Sequence, residues 1–221
     1  MRVLVVAPHM DDEVLGVGGS IVRHVQQGDE VQVCFVAHRT YNHRFDEERN
    51  SIERRCAANA KRVLGYQKVS FLELSDERLD RYVQDIAIPL ERVQQEYDPE
   101  CVYLPHRGDN NQDHRAVFRA SQVVFRPAAT PSLCRIFCYE VPSSTEQVPP
   151  APEYAFLPNC FVDISTCIEE KIEALKCYGT ELRHFPHPRS AEGIEVLAKY
   201  RGMASGFRFA EAFSLLRWRI P

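Results

Sequence analysis

A short apolar run that stops at a cluster of polar side chains constrains the fold of this chain most. Residues 3–7 are all apolar, which is typical of a strand buried on both faces of a parallel sheet. Pro8 ends this run, and the polar residues that follow are His9, Asp11, Asp12 and Glu13. Residues 14–25 then repeat apolar side chains at an approximately helical spacing. The sequence therefore predicts a buried strand, a turn that carries imidazole and carboxylate groups, and a helix.

Strand-like and helix-like segments alternate along the first two thirds of the chain. Further buried strands are predicted at residues 31–37, 69–74, 101–104 and 133–141. Helices are predicted between them at residues 47–64, at 80–97 and from 114 to about 125. Gly65 is expected to end the first of these helices, and Pro89 to kink or split the second. This alternation predicts an α/β fold with a Rossmann-like, mostly parallel sheet flanked by helices on both faces.

The last third of the chain has a different pattern and is predicted to be a lid-like C-terminal extension. Residues 142–158 are rich in proline, which indicates a connection and not a core element. Thr166 and Glu169 have the spacing of a capping box, which predicts a helix to about residue 182. Ser190 is expected to cap a final helix that ends near residue 202. We therefore expect one domain over residues 1–221, with 1–141 as its α/β core and 142–221 as the extension.

Charge and composition exclude several classes of partner. The chain has 221 residues and a formal net charge of −4, so it lacks a basic field that would attract nucleic acid. No apolar run approaches the ~18–20 residues needed to span a bilayer, and no secretory signal is visible. The eight cysteines include no Cys-x-x-Cys pair and are expected to be reduced structural thiols. The sequence thus predicts a cytoplasmic globular protein with no integral membrane segment and no nucleic-acid partner.

A second polar loop follows the predicted strand at residues 101–104 and contains His114. Because ligands bind at the carboxyl ends of the strands in open α/β sheets, this loop and the turn at His9 are expected to meet at that edge. His9, Asp12 and His114 would together supply two imidazoles and one carboxylate. This donor set suits Zn²⁺, which keeps a fourth position open for water when it is catalytic, and it also suits Fe²⁺. The sequence therefore predicts a metal site.

Two further carboxylates are expected to serve this site. Asp11 lies beside the predicted ligands, where a general base for a metal-activated water belongs. Asp113 directly precedes His114 and is expected to orient a metal ligand through a hydrogen bond. Each residue also has a plainer interpretation, because Asp11 could be a solvated carboxylate at a helix start and Asp113 could cap a helix. For Asp113 the two roles are compatible.

Two short motifs resemble the signatures of a known enzyme family. Residues 8–13, Pro-His-Met-Asp-Asp-Glu, resemble the Pro-His-Pro-Asp-Asp-Glu signature of the LmbE-like (PIG-L) N-deacetylases. Residues 111–115, Asn-Gln-Asp-His-Arg, resemble the second signature of that family, and shorter similarities continue to residue 213. The resemblance implies that His9, Asp12 and His114 are zinc ligands and that Asp11 is the catalytic base.

The resemblance also implies a reaction and a set of substrate contacts. Family members hydrolyse the N-acetyl group of N-acetylglucosamine-type sugars, and many of them form homo-oligomers. The residues expected to bind substrate are Arg54, Asn111, His187 and Arg189. Arg49 and Arg55 are close enough to Arg54 to be alternatives to it. Asn111 stands where some members have a histidine that aids the oxyanion, a role that Asn111 or His187 could take here.

The expected function is therefore a metal-dependent hydrolase that removes the N-acetyl group from an N-acetylglucosamine-type sugar or sugar conjugate. An alternative is a zinc amidase acting on a larger acyl group or on a non-sugar amide, since the same core would serve both reactions. A third hypothesis is a non-catalytic α/β binding module. This hypothesis is disfavoured because a binding module would not need Asp11 beside three metal ligands.

Overall fold

The computed structural model describes residues 1–220, in which a seven-stranded sheet carries helices on both faces. The strands are β1 (Arg2–Ala7), β2 (Glu30–His38), β3 (Thr40–Tyr41), β4 (Arg44–Phe45), β5 (Lys68–Ser75), β6 (Cys101–Pro105), β7 (Arg135–Tyr139), β8 (Cys160–Asp163) and β9 (Ala210–Trp218). The α-helices are α1 (Asp12–Gln26), α2 (Glu47–Leu64), α3 (Val83–Tyr97), α4 (Gln112–Val124), α5 (Ile168–Cys177) and α6 (Ala191–Ser205).

The order of the strands in the central sheet is β5-β2-β1-β6-β7-β9-β8. The first five pair in parallel, and each connection between them contains a helix. β9 pairs antiparallel with β7, and β8 pairs antiparallel with β9. β3 and β4 form a short hairpin in the loop after β2. The prediction of a Rossmann-like, mostly parallel sheet with helices on both faces is confirmed.

Successive side chains of β1 face two separate apolar cores. Val3 and Val5 pack in the core that contains side chains of α1, α2, α5 and α6. Leu4 and Val6 pack in the core that contains side chains of α3 and α4. Because both faces of the strand are covered, every position needs an apolar side chain, which is why the run shows no alternation of polar residues.

The two loops that carry the predicted metal ligands lie side by side. α1 and α4 begin shortly after β1 and β6, which are parallel neighbours in the sheet. The carboxyl ends of these strands therefore lie at one edge, together with the first turns of both helices. Asn111 caps α4, because its Oδ1 accepts a hydrogen bond from the backbone N–H of Asp113 at 2.8 Å. The sheet thus brings His9 and His114, far apart in sequence, to the same place.

The last third of the chain contributes to the sheet itself. Residues 142–159 form a connection with one turn of 3₁₀-helix at Thr145–Gln147, in agreement with the proline-rich pattern. The following residues, however, form β8 and β9, which extend the sheet beyond β7. The segment predicted as a lid-like extension therefore completes one edge of the core. The sequence analysis predicts no strand over residues 210–218, where the charged side chain of Glu211 is buried.

One local prediction in the helices was wrong, and a second is decided in part. Thr166 and Glu169 do not form a capping box, because α5 begins at Ile168 without a side-chain cap and ends at Cys177. α3 is not split at Pro89, because the helix runs through it and buries Ile86 and Leu90 against the sheet on either side. Two others hold: α2 ends at Gly65, which has a φ of 81°, and Ser190 caps α6. None of the helices in residues 1–220 is both long and apolar enough to cross a membrane.

Candidate metal centre and active site

The three predicted metal ligands form a buried cluster. His9 follows β1, Asp12 is the first residue of α1, and His114 lies in the first turn of α4. One donor atom from each lies within 4.8 Å of the other two. Oδ2 of Asp12 is central, at 3.3 Å from Nδ1 of His9 and 3.3 Å from Nε2 of His114. Two imidazole nitrogens and one carboxylate oxygen facing one another form a donor set that fits Zn²⁺ or Fe²⁺.

The charges of this cluster stabilise one another strongly. Burial alone would raise the pKa of Asp12, but the His114 and His9 imidazoles hold it well below its usual range. Burial lowers the pKa of His114, and this is overcome by Asp12 and Asp109, which raise that pKa to about 10. A metal ion can replace the imidazole protons in the same field of carboxylates, since metal binding to histidine requires the free ring nitrogen.

Asp113 contacts the ring nitrogen of His9 that faces away from Asp12. Its Oδ2 lies 3.2 Å from Nε2 of His9 and accepts a hydrogen bond from the backbone N–H of Glu77 at 2.7 Å. A second backbone N–H, that of Leu79, donates to Oδ1 at 3.3 Å. These bonds fix the carboxylate, so it can hold His9 with Nδ1 directed at Asp12. Asp113 therefore lies where the sequence analysis expects a residue that orients a ligand.

Asp11 lies beside the cluster with one oxygen paired and one unpaired. Its backbone has a φ of 129°, a conformation that L-residues rarely adopt, and its side chain makes no capping hydrogen bond to α1. Oδ2 accepts from Arg39 and from Arg189, each at 3.0 Å. Oδ1 is buried and has no hydrogen-bond partner in the described part of the chain. Asp11 is thus a carboxylate that is fixed through Oδ2, while its Oδ1 is free to accept a hydrogen bond or a proton.

Burial and the two arginines act in opposite directions on Asp11. Burial raises the pKa of this carboxyl, Arg189 and Arg39 lower it, and the result is about 6. Glu181 neutralises the outer side of the arginines, since Arg39 and Arg189 each lie 3.0 Å from one of its oxygens. A carboxyl with a pKa near neutrality can both take and return a proton at working pH, which is what a general base and acid requires.

A polar pocket of about 400 Å³ opens beside this cluster, a volume that suits a small-molecule ligand. Its walls are formed by His9, Arg39, Asp76, Glu77, Asn110, Asn111, Gln112, Asp113 and Arg189. Each of these nine side chains offers a hydrogen-bond donor or acceptor. Such a surface fits a ligand with many hydroxyl or amide groups better than an apolar one.

The structure brings only part of the predicted substrate-binding set to this pocket. Asn111 and Arg189 line it. His187 is exposed on the same late loop, and its Nδ1 accepts from the backbone N–H of Arg189, so the loop enters the site through Arg189. Arg54 lies outside the pocket, where its guanidinium pairs with Glu73 and covers the ring of Phe71.

Two side chains that contact the predicted base and a predicted ligand were not predicted from the sequence. Arg39 contacts Asp11 from the loop after β2, and Asp109 lies 3.3 Å from Nδ1 of His114. Both residues follow a parallel strand at the edge of the sheet where the ligands lie. This position in the sequence is the feature that could have indicated that they belong to the site.

Glu13 lies buried beneath the site with no exposed surface. Its Oε1 lies 2.6 Å from the hydroxyl of Tyr178, and its Oε2 accepts from the backbone N–H of Asp11 at 3.1 Å. Burial raises the pKa of Glu13 to about 8, although the Tyr178 hydroxyl lowers it in part. Glu13 therefore supports the backbone of Asp11 as a largely neutral group at pH 7.

This shift predicts a stability that falls with rising pH. Between the ordinary pKa of 4.5 and the folded value of about 8, the folded chain keeps a proton that the unfolded chain has lost. The free energy of unfolding should therefore decrease across pH 5–8, by at most about 1.4 kcal/mol per unit from this group. Urea unfolding across this range should give a steeper decline for the wild type than for Glu13→Gln. The exposed replacement Glu153→Gln should follow the wild type. Equal slopes for the wild type and Glu13→Gln would contradict the expectation.

Comparison with known proteins agrees with this geometry. Residues 4–125, more than half of the chain, match the model of the PIG-L family, described as GlcNAc-PI de-N-acetylase. The diacetylchitobiose deacetylase of Thermococcus kodakarensis is 26% identical over 230 residues, which cover 95% of this chain and 81% of that protein.

Two solved structures have the same fold at lower identity. The N,N'-diacetylchitobiose deacetylase of Pyrococcus horikoshii aligns with a TM-score of 0.77 and 21% identity, over 98% of this chain and 84% of that one. GalB of Pseudomonas putida, a 4-carboxy-2-hydroxymuconate hydratase, aligns with a TM-score of 0.78 and 22% identity, over 100% and 98%. The fold is thus shared by proteins with different reactions, whereas the matched family model spans the residues that form the triad. The chain belongs to the PIG-L family.

Proposed function

We propose that this protein is a metal-dependent deacetylase that removes the N-acetyl group from an N-acetylglucosamine-type sugar or sugar conjugate. The observation that carries the proposal is Asp11, which directly precedes the ligand Asp12 of the three-residue cluster and has one buried oxygen without a hydrogen-bond partner in the described part of the chain. Family membership supports the reaction class, and the relative from Thermococcus kodakarensis carries the name of a sugar deacetylase. The predicted cytoplasmic location and self-association stay predictions.

His9, Asp12 and His114 would hold the metal, for which we propose Zn²⁺, and Fe²⁺ suits the same donors. When bound, such an ion lowers the pKa of a coordinated water and polarises the amide carbonyl of the substrate. Asp113 serves these ligands by holding His9 in the tautomer that directs Nδ1 at Asp12.

Asp11 moves the protons of the reaction. Its free Oδ1 accepts a proton from the attacking water while Arg39 and Arg189 keep Oδ2 in place. The carbon–nitrogen bond of the amide then breaks, and the same oxygen returns the proton to the departing nitrogen. Acetate and a free amine are the products, so that water is consumed and Asp11 ends in its starting state.

The pocket supports a carbohydrate as the substrate. Asn111 uses its Oδ1 to cap α4, which leaves its amide donor for a substrate oxygen. Arg189 lines the same pocket and has a side chain that is 19% exposed, so it can also donate outward. We assign substrate contacts to these two residues. Arg54 and His187 lie outside the pocket and receive no such role here.

The alternative of a zinc amidase for a larger acyl group or a non-sugar amide uses the same triad and base. It differs only in what the pocket accepts. A non-catalytic binding module is disfavoured, because a paired carboxylate with one free buried oxygen has no evident use in binding alone.

The proposal is tested by incubating the metal-loaded protein with N-acetylglucosamine, diacetylchitobiose and an N-butyryl analogue of each sugar. Acetate and primary amine should appear in equal amounts from at least one N-acetyl sugar, and removal of the metal by a chelator should stop the release. Faster release of butyrate than of acetate would favour the amidase. No acyl release from any of them by a protein that holds one metal per chain would overturn the proposed function.

A further inference from the structure

Asp109 is a buried carboxylate beside a metal ligand. It lies in the loop after β6 and has no exposed surface. Its Oδ1 is 3.3 Å from Nδ1 of His114, the ring nitrogen that faces away from Asp12. In the described part of the chain His114 Nδ1 makes no hydrogen bond, and Asp109 is the one carboxylate within ion-pair distance of it. No other cationic side chain of the described residues lies within ion-pair distance of Asp109. The carboxylate is thus directed at one imidazole only.

Four protein groups converge on this carboxylate and keep it in place. The backbone N–H of Asn111 and the hydroxyl of Ser144 donate to Oδ1, the first at 2.8 Å. The hydroxyl of Thr145 donates to Oδ2 at 2.5 Å. With the imidazole of His114 these groups compensate the cost of burying a charge, which would otherwise be prohibitive. Asp109 is therefore built in as an ionised acceptor and is not a solvated loop residue.

We infer that Asp109 is the positioning residue of His114, holding the imidazole with its proton on Nδ1 and its free Nε2 electron pair directed toward the metal. The inference rests on the metal site of the proposed function. The arrangement matches the one at His9, where Asp113 contacts the ring nitrogen that faces away from Asp12. The ring nitrogen that faces away from Asp12 is Nε2 in His9 and Nδ1 in His114. A different carboxylate faces each of these two nitrogens.

The loop that anchors Asp109 also reaches the catalytic base. Ser143, next to Ser144, accepts a hydrogen bond on its Oγ from Nε of Arg189 at 2.6 Å. Arg189 in turn donates to Oδ2 of Asp11. Residues 143–145 therefore connect the support of a metal ligand to the support of the base, and they come from the segment directly after β7.

The test compares zinc affinity, by competition with a chelating dye, in the wild type and in variants at Asp109. Asp109→Ala should bind zinc about 10- to 100-fold more weakly, the usual cost of losing such a partner. Asp109→Asn keeps an oxygen that accepts from Nδ1–H, so its loss should be smaller. Asp163→Asn, which removes a carboxylate that does not line the pocket and bonds to Ser165, should bind zinc as the wild type does.

A spectroscopic measurement separates positioning from a merely structural role. In the zinc-loaded wild type the Nδ1–H signal of His114 should be visible by ¹⁵N–¹H NMR and protected from exchange. In the zinc-loaded alanine variant it should exchange rapidly, while the far-ultraviolet circular dichroism stays unchanged. If the alanine variant does not fold, Asp109→Asn and Thr145→Val carry both measurements, with weaker binding expected in each.

A folded Asp109→Ala variant that binds zinc within about twofold of the wild type would overturn the inference, and so would Asp109→Asn and Thr145→Val together if alanine prevents folding. A protected His114 signal in the alanine variant would overturn it as well. If the wild type itself binds no zinc, the metal site of the proposed function fails, and this inference fails with it. The two failures are distinguishable, because the first leaves wild-type binding intact.

Discussion

Replacing Asp11 by asparagine is expected to lower kcat for deacetylation by about 10²- to 10⁴-fold while the protein keeps its metal. Asparagine has nearly the same shape, and its amide oxygen can still accept from Arg39 and Arg189 in place of Oδ2. It cannot take a proton from water, however, because the free Oδ1 becomes an amide nitrogen. The ligands His9, Asp12 and His114 are unchanged, so the loss should lie in proton transfer and not in metal content.

Acetate release and metal content, measured on the same preparation, check this expectation. Asp163→Asn serves as the matched control, since it makes the same chemical change at a carboxylate that bonds only to Ser165 in the described part of the chain. It should retain wild-type kcat. A kcat for Asp11→Asn within about tenfold of the wild type would assign the proton transfer to another group.

The metal cluster could be predicted from the sequence because its members depend on local structure and on one topological rule. His9 and Asp12 lie on a single turn between β1 and α1, so their proximity follows from the motif itself. His114 follows a parallel neighbour of β1, and parallel neighbours end at the same edge. No detail of side-chain packing is needed to bring these three residues together.

The arginines of the site could not be assigned in the same way. Which arginine reaches Asp11 depends on how the loop after β2 folds back, and this is fixed by distant contacts. Asn50 in α2 holds that loop, donating from its Nδ2 to the carbonyl of Arg39 and accepting from the N–H of Arg39. Arg54, one turn further along α2, is directed at β5 and pairs with Glu73. The sequence pattern therefore does not identify which arginine contacts Asp11.

The last strand shows a second limit of prediction from sequence, which is the burial of a charged side chain. Glu211 interrupts the apolar pattern of β9 and therefore indicates solvent exposure in the sequence. In the structure it is buried, paired with Lys171 at 2.5 Å and bonded to the backbone N–H groups of Gly19 and Ser20 in α1. A buried charge of this kind is stable only with its partners. They lie far away in sequence, so the pattern alone cannot predict them.

The second large effect is expected at Asp12, whose replacement by asparagine should abolish both metal binding and activity. Oδ2 of Asp12 lies between the two imidazoles and accepts from the backbone N–H of His9 at 2.9 Å. An amide oxygen can keep the backbone hydrogen bond, but it carries no charge and is a poor ligand for zinc. Zinc affinity should fall by more than about 100-fold, beyond the cost of losing an orienting partner. Calorimetric titration with zinc and metal analysis after dialysis measure this.

Asp11→Asn and Asp12→Asn together form a sharp test, because they make the same chemical change at adjacent buried carboxylates. Asp12 faces the imidazoles, whereas Asp11 faces the arginines. The first variant should therefore lose turnover and keep zinc, and the second should lose both. Zinc bound to Asp12→Asn at wild-type affinity would mean that His9 and His114 do not share a metal with this carboxylate. Zinc lost from both variants would instead make Asp11 a ligand, and the proton would then have to move through a different group.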